Sequence, residues 1–487
     1  MKTINSFIKS YLSCSKLHDD DHKLISADQA SYEFHLIRRY LITHLKSDSL
    51  VAICLEKDYR YVLTMLACMD VGITYIPLKP DYPLERIEQI KQASLFNLLL
   101  DVHLVDKIFN QGGNDVQLDS FHKSENAPLY IVFTSGSTGL PKGVIIQRKA
   151  YTNFLNWVAD YFSDIGRSDR ILNTADFTFD LSMLDIAILI TCNPNFFISK
   201  FNNNIFKLAS EIEGLGITTM ATVPNNITLL LNSNISSRVD YSSLKRLLLG
   251  GARFSYGLYA TLQKDLGYVD IFNLYGPTEA TVYCTVKKLT FDSDVVDKVV
   301  SVGRDISNCH TIILDHNMQE LPAIIKGEVY IGGVQLMHSY INDVDKTSEV
   351  LIEIGSKLYY KTGDIGFKDQ VDDLYITGRM DDTIKVSGYR VNLSDIDSYI
   401  SSIPLVDECA TIAIFDEIKE NILVAYIASK VKDKDSIYNE LRKIMPQYQL
   451  PQEIVFIDDF PLNNSGKISK NQLIELHKEN LHKVKTK

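Results

Sequence analysis

The sequence lacks the cysteine patterns that build disulfide frameworks and zinc sites. Seven cysteines are scattered over 487 residues, and no pair stands in C-x-x-C spacing. An odd, scattered set of this kind predicts reduced thiols, as in the cytoplasm, with no disulfide frame and no zinc site.

Long apolar runs are also missing. The run LDIAILI, Leu184–Ile190, is far shorter than a membrane span, and we expect it to form a core helix. At the amino terminus, MKTINSFIKSYLSC interrupts its apolar residues too often for a signal peptide. These absences predict a soluble cytoplasmic protein without a membrane span.

Clusters of basic residues are absent as well. Asp and Glu total 61 against 50 Lys and Arg, which gives a formal net charge of −11, and no Lys/Arg block stands out. Binding to nucleic acid or to an anionic membrane is therefore not expected.

The pattern of strand-like and helical stretches predicts an α/β protein with two domains. Strand-like runs such as Val51–Leu55, Ile73–Leu78 and Leu244–Gly251 alternate with helical segments, which is typical of βαβ units. We expect a large multi-sheet N-terminal domain over 1–378 and a smaller α+β C-terminal domain over 379–487, joined by a hinge.

One loop carries most of the chemical information. The stretch TSGSTGLPKG, Thr134–Gly143, follows the apolar run Leu129–Phe133. Glycines allow close backbone approach, while amides, hydroxyls and an ammonium can meet phosphate oxygens. The spacing is not that of the common P-loop or of the dinucleotide-binding glycine motif. A flexible surface loop is the alternative.

Four further motifs follow in a fixed order. NLYGPTEAT covers Asn273–Thr281, YKTGD covers Tyr360–Asp364, GRMDDT covers Gly378–Thr383, and LNNSGKISK contains Lys467. Alone, each has an ordinary alternative, such as a Gly-Pro turn or a solvated surface lysine. Together with the glycine-rich loop they resemble the adenylate-forming superfamily of acyl-CoA synthetases, luciferases and nonribosomal peptide adenylation enzymes. The resemblance runs from about Ile53 to Ile468.

The resemblance implies specific roles for residues of these motifs. Lys467, Thr278 and Glu279 would be catalytic, and Glu279 would bind Mg²⁺, a hard cation that prefers oxygen ligands. Asp381 would be the hinge and Gly388 would line a tunnel for a pantetheine thiol. The implied ATP-binding set is Thr134, Ser135, Gly136, Ser137, Thr138, Gly139, Lys142, Asn273, Leu274, Tyr275, Gly276, Pro277, Thr278, Asp364, Ile376, Arg379 and Lys467.

The substrate class depends on the stretch FTFDLSMLD, Phe177–Asp185. It contains the F-D-x-S pattern of amino-acid-activating members, in which the aspartate, here Asp180, pairs with the substrate ammonium. A carboxylate in an apolar pocket is costly unless it meets a cation, so a fatty-acid pocket should not hold one. The alternative is an aspartate that caps a helix.

The stretch most resembles that of D-alanine:D-alanyl carrier protein ligases. The implied pocket is largely apolar, with no buried cation or second carboxylate, which favours a neutral amino acid, D-alanine among the candidates. Gly250 and Tyr283 depart from that subgroup: the first opens space and the second fills it. The implied lining residues are Asp180, Leu181, Leu184, Thr222, Leu248, Gly250, Leu274, Val282 and Tyr283.

Three functions stay open at this point. The leading hypothesis is an amino acid–carrier protein ligase that uses ATP and Mg²⁺. Because no carrier domain follows Lys467, the acceptor is expected to be the phosphopantetheine arm of a separate carrier protein, with coenzyme A as the alternative. An acyl-CoA synthetase or fatty acyl-AMP ligase is the enzymatic rival, and a non-catalytic member acting as a binding partner is the third hypothesis.

Overall fold

The computed structural model describes residues 2–19, 21–112, 119–121, 123–134, 141–200, 204–233, 238–380, 383–386, 388–416, 420–429, 431–461 and 468–485. The chain forms two compact units. The first comprises Met1–Asp81, Lys91–Phe133 and Gly143–Met380, and the second comprises Tyr82–Ile90, Thr134–Lys142 and Asp381–Lys487.

The helices are distributed over the whole chain. They are α1 Ile4–Leu12, α2 Ala27–His44, α3 Tyr59–Val71, α4 Leu84–Ser94, α5 Val102–Gln111, α6 Arg148–Tyr161, α7 Ser182–Cys192, α8 Ile205–Gly214, α9 Pro224–Asn232, α10 Tyr256–Asp265, α11 Val344–Val350, α12 Leu393–Ser401, α13 Lys434–Ile444 and α14 Lys470–Lys485, with short 3₁₀ helices at Thr278–Ala280 and Gln447–Gln449.

The strands alternate with these helices over the first half of the chain. They are β1 Leu17–His18, β2 Leu24–Ile25, β3 Leu50–Cys54, β4 Thr74–Leu78, β5 Leu98–Asp101, β6 Pro128–Thr134, β7 Lys142–Gln147, β8 Arg170–Asn173, β9 Asn195–Ile198, β10 Thr219–Thr222, β11 Arg246–Gly250, β12 Asp270–Tyr275, β13 Thr285–Lys288, β14 Val295–Val296, β15 Val299–Val300, β16 Arg304–Asp305, β17 Cys309–Leu314, β18 Gly327–Gly333, β19 Ser339–Tyr340, β20 Leu351–Ile354, β21 Lys357–Lys368, β22 Leu374–Arg379, β23 Thr383–Val386, β24 Tyr389–Asn392, β25 Glu408–Asp416, β26 Glu420–Ala428 and β27 Glu453–Phe456.

The largest sheet of the first unit positions most of the predicted site. Its strand order over the described residues is β16-β13-β12-β11-β10-β8-β9-β1-β2. The run from β12 to β9 is parallel. Every residue of β10 and β11 is buried, as expected for strands covered on both faces.

A second, largely parallel sheet packs in the same unit. Its order over the described residues is β19-β7-β6-β4-β3-β5. Helix α7 belongs to the same hydrophobic core as α3, and its residues from Ser182 to Ile190 are all buried. A helix that is apolar on all sides belongs inside a protein, so the run Leu184–Ile190 is the core helix that the sequence predicts.

A third sheet of the first unit is antiparallel. Its order over the described residues is β17-β18-β21-β20, and β22 pairs with β21. The register of that pair sets Asp364 opposite Arg379, so two distant motifs become neighbours.

The second unit has its own core. Strands β25, β26 and β27 form one sheet and β23 pairs with β24, while α12 and α13 contribute to the hydrophobic core. The predicted fold class, a multi-sheet α/β region followed by a smaller α+β region, is confirmed. In the part of the chain that the structure describes, none of the helices has the length and apolarity needed to cross a lipid bilayer.

Candidate active site

Neighbouring strand ends bring the predicted pocket residues together. In the parallel run β10-β11-β12, Thr222 lies opposite Leu249, and Gly250 lies opposite Leu274. Ligands of parallel sheets bind beyond the carboxyl ends of the strands, which is where Thr222, Gly250 and Tyr275 stand. The hydroxyl of Thr222 accepts a hydrogen bond from Asn226 Nδ2 at 2.9 Å.

Asp180 lies in the loop between β8 and α7. The loop is tightly turned: Asp176 Oδ1 accepts from the backbone nitrogen of Thr178 at 2.9 Å, and the Met183 nitrogen donates to the Asp180 carbonyl at 2.8 Å. Asp180 is 7% exposed. The N-cap residue of α7 is Leu181, and no side-chain hydrogen bond is found at that cap.

Tyr283 packs directly against Gly250. A Cβ atom added at Gly250 would lie 2.5 Å from Tyr283 Oη and 2.6 Å from Tyr283 Cε1, closer than side chains pack. A Cβ at Gly251 would meet the ring of Phe179 at 3.3 Å and the Leu181 methyl at 3.5 Å. The two departures from the D-alanine ligase pattern therefore form one contact, next to the loop that carries Asp180.

The turn before Tyr283 is unusual. Thr281 and Val282 adopt left-handed φ values of 55° and 70°, which non-glycine residues seldom adopt. Gln335 holds this turn: its Nε2 donates to the carbonyls of Tyr283 at 2.9 Å and Thr281 at 3.2 Å. Gln335 is 1% exposed and was not predicted, since its role depends on a contact about fifty residues away in sequence.

The remaining predicted wall residues are buried and apolar. Each is at most 2% exposed: Leu181, Leu184, Leu248, Leu274 and Val282. Burial, followed by the negative charges of Asp180 and Asp185, raises the pKa of Tyr283 well above its usual range. The phenol therefore stays protonated, and both carboxylates lie near it.

A second carboxylate, that of Asp185, is buried near this pocket, although Asp185 is not one of the predicted wall residues. Asp185 is 0% exposed and accepts from Asn173 Nδ2 at 2.7 Å. Burial raises the pKa of its carboxyl to about 7, and the positive charge of Lys57 opposes that rise. The motif letters contain Asp185, but its burial depends on how α7 packs.

Glu279 lies in the short 3₁₀ helix Thr278–Ala280, directly after Pro277. Its Oε1 accepts from the Tyr340 hydroxyl at 2.7 Å, and its carbonyl accepts from the Met337 nitrogen at 2.8 Å. No group of three or more His, Cys, Asp or Glu side chains suited to a metal occurs among the described residues. One fixed carboxylate fits Mg²⁺, which proteins often bind through one or two carboxylates together with substrate phosphates.

Asp364 sits at the centre of a polar cluster. Its Oδ2 accepts from the Tyr275 hydroxyl at 2.5 Å, and its Oδ1 accepts from Arg379 Nη1 at 2.6 Å. Burial and the Asp364 charge raise the pKa of Tyr275 well above its usual range, so the phenol remains a donor. Asn273 Nδ2 donates to the Ser301 carbonyl at 2.8 Å, and Ile376 lies on β22 beside this cluster.

Gly276 needs its small size at this place. A Cβ there would lie 2.6 Å from the Tyr283 Cα and 2.6 Å from the Val282 carbonyl oxygen. The glycine that leads into Pro277 and Thr278 is therefore packed against the turn that carries Tyr283, and the nucleotide motif and the pocket share one backbone contact.

The other predicted residues belong to further elements or lie outside the described residues. Thr134 ends β6 and Lys142 begins β7, while Gly388, with a φ of 85°, forms the turn between β23 and β24. The predicted residues outside the described ranges are Ser135, Gly136, Ser137, Thr138, Gly139, Asp381 and Lys467.

Comparison with known families gives two matches. Residues 18–341 match the AMP-binding enzyme family, and residues 395–467 match the AMP-binding enzyme C-terminal domain.

Curated relatives match along most of the chain. A D-alanine–D-alanyl carrier protein ligase of Listeria monocytogenes is 31% identical over 443 residues, which is 85% of this chain and 86% of that protein. A linear gramicidin synthase of Brevibacillus parabrevis is 30% identical over 461 residues, 90% of this chain. The chain spans 9% of the length of that synthase and 18% of the dimodular nonribosomal peptide synthase of Bacillus subtilis.

Solved structures share the fold. The amide bond synthetase McbA from Marinactinospora thermotolerans superposes with a TM-score of 0.84 at 21% identity, over 96% of this chain and 99% of that chain. At this identity the likeness concerns architecture alone.

Proposed function

The chain belongs to the AMP-binding enzyme family, and we propose that it is a ligase that activates a small neutral amino acid. The amino acid carboxylate would react with ATP to give an aminoacyl adenylate and pyrophosphate. The aminoacyl group would then pass to the phosphopantetheine thiol of a separate carrier protein. The D-alanine–D-alanyl carrier protein ligase to which the chain is similar supports both halves of this proposal.

The observation that carries the amino-acid assignment is the buried carboxylate of Asp180. It is 7% exposed, and the side chains of its neighbours Phe179 and Leu181 would lie 3.3 Å and 3.5 Å from a Cβ atom added at Gly251. A carboxylate that leaves water is stabilised by a cation, and the substrate ammonium would supply one. A fatty acid would bring no such partner.

The Tyr283–Gly250 contact supports a small side chain. The phenol ring takes up the volume into which a side chain at position 250 would project. Apart from Asp180, the wall residues named above carry no charge, so a charged substrate side chain would meet no opposite charge among them once the substrate ammonium occupies Asp180. This favours a neutral amino acid of modest size.

The Asp364 cluster and Glu279 are the residues proposed to hold MgATP. A carboxylate has more lone-pair sites than Tyr275 and Arg379 occupy, so Asp364 can also accept from ribose hydroxyls. Glu279, fixed by Tyr340, would hold Mg²⁺. The metal, when bound, would neutralise charge on the phosphate oxygens.

The direct test is amino-acid-dependent ATP–pyrophosphate exchange. The wild-type protein is assayed with a panel of L- and D-amino acids and with short, long and aromatic acids that lack an amino group. We expect exchange with one or two small neutral amino acids. Exchange only with acids lacking the amino group would contradict the proposal and favour the acyl-CoA synthetase alternative.

A variant isolates the role of Asp180. Asp180→Asn keeps the shape and removes the charge, and it should raise the amino acid KM roughly 30- to 5000-fold, since losing one partner of a buried charge pair costs about 2–5 kcal/mol. The KM for ATP should change little. Asp240→Asn, which removes an exposed turn-capping carboxylate, is the control and should leave both constants unchanged.

The acceptor is tested separately. Radiolabelled amino acid, ATP and enzyme are incubated with a phosphopantetheinylated carrier protein or with coenzyme A. We expect the label on the carrier protein. Labelling of coenzyme A alone would assign a different acceptor and leave the adenylation step unaffected.

Lys467 lies outside the described residues, and its catalytic role stays a prediction from the resemblance. Lys467→Ala should reduce exchange by orders of magnitude while ATP binding, measured by calorimetry, is retained. Wild-type exchange by this variant would contradict the role assigned to the lysine.

A further inference from the structure

Lys57 makes an unusual set of contacts at the junction of two sheets. It follows β3 of the six-stranded sheet, and its Nζ donates to the carbonyls of Asn173 at 3.1 Å, Thr174 at 3.1 Å and Ser199 at 2.8 Å. The three contacts account for the donor capacity of an ammonium group. The residue as a whole is partly buried.

These carbonyls belong to the carboxyl ends of two neighbouring strands of the nine-stranded sheet. Asn173 ends β8 and Ser199 follows β9, and the Ser199 nitrogen donates to the Asn173 carbonyl at 3.0 Å. The Lys57 ammonium therefore ties a loop of one sheet to two adjacent strand ends of the other. That edge of a parallel sheet is where substrates bind.

The same strand end starts the loop that carries Asp180. Thr174 is its first residue: its carbonyl meets Lys57, and its hydroxyl donates to the Ala221 carbonyl of β10 at 3.0 Å. The far end is held by Asp185 in α7, which accepts from the Asn173 side chain at 2.7 Å. Both ends of the loop thus depend on Asn173 and its neighbours.

The charges around Lys57 also favour an ammonium group beside the loop that carries Asp180. Burial lowers the pKa of the Lys57 ammonium to about 8, and the charges of Asp176, Asp185 and Glu211 oppose that fall. Asp176, which lies in the loop, also pairs at 3.1 Å with Lys79, the residue after β4. The ammonium thus stabilises three carbonyl oxygens and the nearby carboxylates, and a neutral side chain at this position would leave these groups without their positive partner.

We propose that Lys57 is a positioning residue for amino acid activation: by binding the carbonyls of Asn173, Thr174 and Ser199 it holds the Asp180 loop where the carboxylate meets the substrate ammonium. The inference rests on the proposed function, because it assigns a role through Asp180. The role assigned to Lys57 is therefore indirect and acts through the position of the loop.

The test compares two lysines at opposite ends of β8. Lys57→Met keeps the length of the side chain and removes its charge and donors. Lys245→Met is the control, since Lys245 pairs at 3.3 Å with Asp169, the residue before β8, away from the Asp180 loop. KM values for amino acid and for ATP are measured by pyrophosphate exchange, and thermal unfolding is measured for each variant.

We expect Lys57→Met to raise the amino acid KM about 10- to 100-fold with an ATP KM within about twofold of wild type, because small displacements of a binding group act on its own ligand. Lys245→Met should change neither constant. Lys57→Arg, which retains charge and donors, should recover most of the amino acid affinity.

Two results overturn the inference. An unchanged amino acid KM in Lys57→Met shows that the loop does not need the lysine. Equal changes in both KM values, together with a lower unfolding temperature, show a general structural role. If Lys57→Met does not fold, Asp185→Asn tests the same network, and it should raise the amino acid KM alone. If the wild-type protein catalyses exchange only with acids that lack an amino group, the proposed function and this inference are refuted together. If it catalyses exchange with an amino acid but Lys57→Met has the wild-type amino acid KM, only the inference is refuted.

Discussion

Replacing Gly250 by alanine tests whether Tyr283 and the bare backbone at position 250 form one unit. The added Cβ would lie 2.5 Å from Tyr283 Oη, 2.6 Å from Cε1 and 2.7 Å from Cζ. Ordinary carbon contacts are about 3.5–4.0 Å, so the ring must move by roughly 1 Å. Gln335 and the left-handed turn hold the backbone of Tyr283, which limits that movement.

The expected cost follows from the crowding. Overpacking of this kind destabilises a core by about 1–3 kcal/mol. Tyr283→Ala removes the ring and leaves a cavity, at a cost on the order of 3–5 kcal/mol by analogy with other large aromatic truncations. In the double variant the alanine at position 250 no longer meets the ring. The sum of the losses of unfolding free energy in the two single variants should therefore exceed the loss in the double variant by about 1–3 kcal/mol.

Urea unfolding of the three variants measures this coupling, and pyrophosphate exchange measures its effect on substrate size. Tyr283→Ala should accept larger apolar amino acids. For each additional methylene group in the substrate, the ratio of kcat/KM for the larger to the smaller amino acid should rise roughly 10- to 200-fold relative to wild type. Tyr283→Phe is the control, because it keeps the ring. The reasoning is refuted if Gly250→Ala is as stable as wild type, or if Tyr283→Ala keeps the wild-type order of substrate sizes.

Three further predictions concern single buried groups. Burial raises the pKa of Asp185 to about 7, so the folded protein holds a proton that the unfolded chain releases near pH 4. The stability that this proton contributes is present at low pH and lost as pH rises through about 7. Asp185→Asn should remove this decline, which is on the order of 2 kcal/mol between about pH 5 and about pH 7 in urea unfolding, and an unchanged slope would argue against it. Tyr340→Phe removes the donor to Glu279 and should raise the Mg²⁺ concentration for half-maximal exchange about 10-fold; an unaltered Mg²⁺ titration would count against the metal role. Gln335→Leu leaves buried carbonyls without their donor and should cost about 2–4 kcal/mol in unfolding free energy, whereas Gln263→Leu, an exposed glutamine with one carbonyl contact, should cost less than about 1 kcal/mol; equal losses would contradict the proposed hold on the turn.

The fold class and the family could be predicted from the sequence because both depend on local patterns. Alternation of apolar runs with helical stretches predicted the α/β region, and the buried strands β3, β4 and β11 stand at the runs so identified. A motif such as NLYGPTEAT consists of adjacent residues, so it can be recognised without knowledge of the fold. The family match over residues 18–341 agrees with that prediction.

Part of the site was also predictable residue by residue. Asp364 and Arg379 were assigned to one nucleotide site, and the register of β21 and β22 makes them an ion pair at 2.6 Å. Gly250 and Tyr283 were each recognised as departures. That the ring of Tyr283 fills the space beside Gly250 could not be predicted, because the contact joins the end of β11 to a residue outside the strands, 33 positions further along a chain of 487.

The supporting residues were missed altogether. Lys57 lies in none of the motifs, and Gln335 and Tyr340 lie in the stretch Gly327–Asn342, which resembles a further family element but has no chemical role assigned to it. Their roles come from what surrounds them after folding, when a lysine meets three carbonyls, a glutamine meets a strained turn and a tyrosine meets a carboxylate. The sequence by itself determined the family and the class of chemistry and predicted the reacting groups, since these follow from short local patterns. Only the tertiary structure decided which distant side chains hold those groups in place, because a hydrogen bond depends on distance in space and not on separation along the chain.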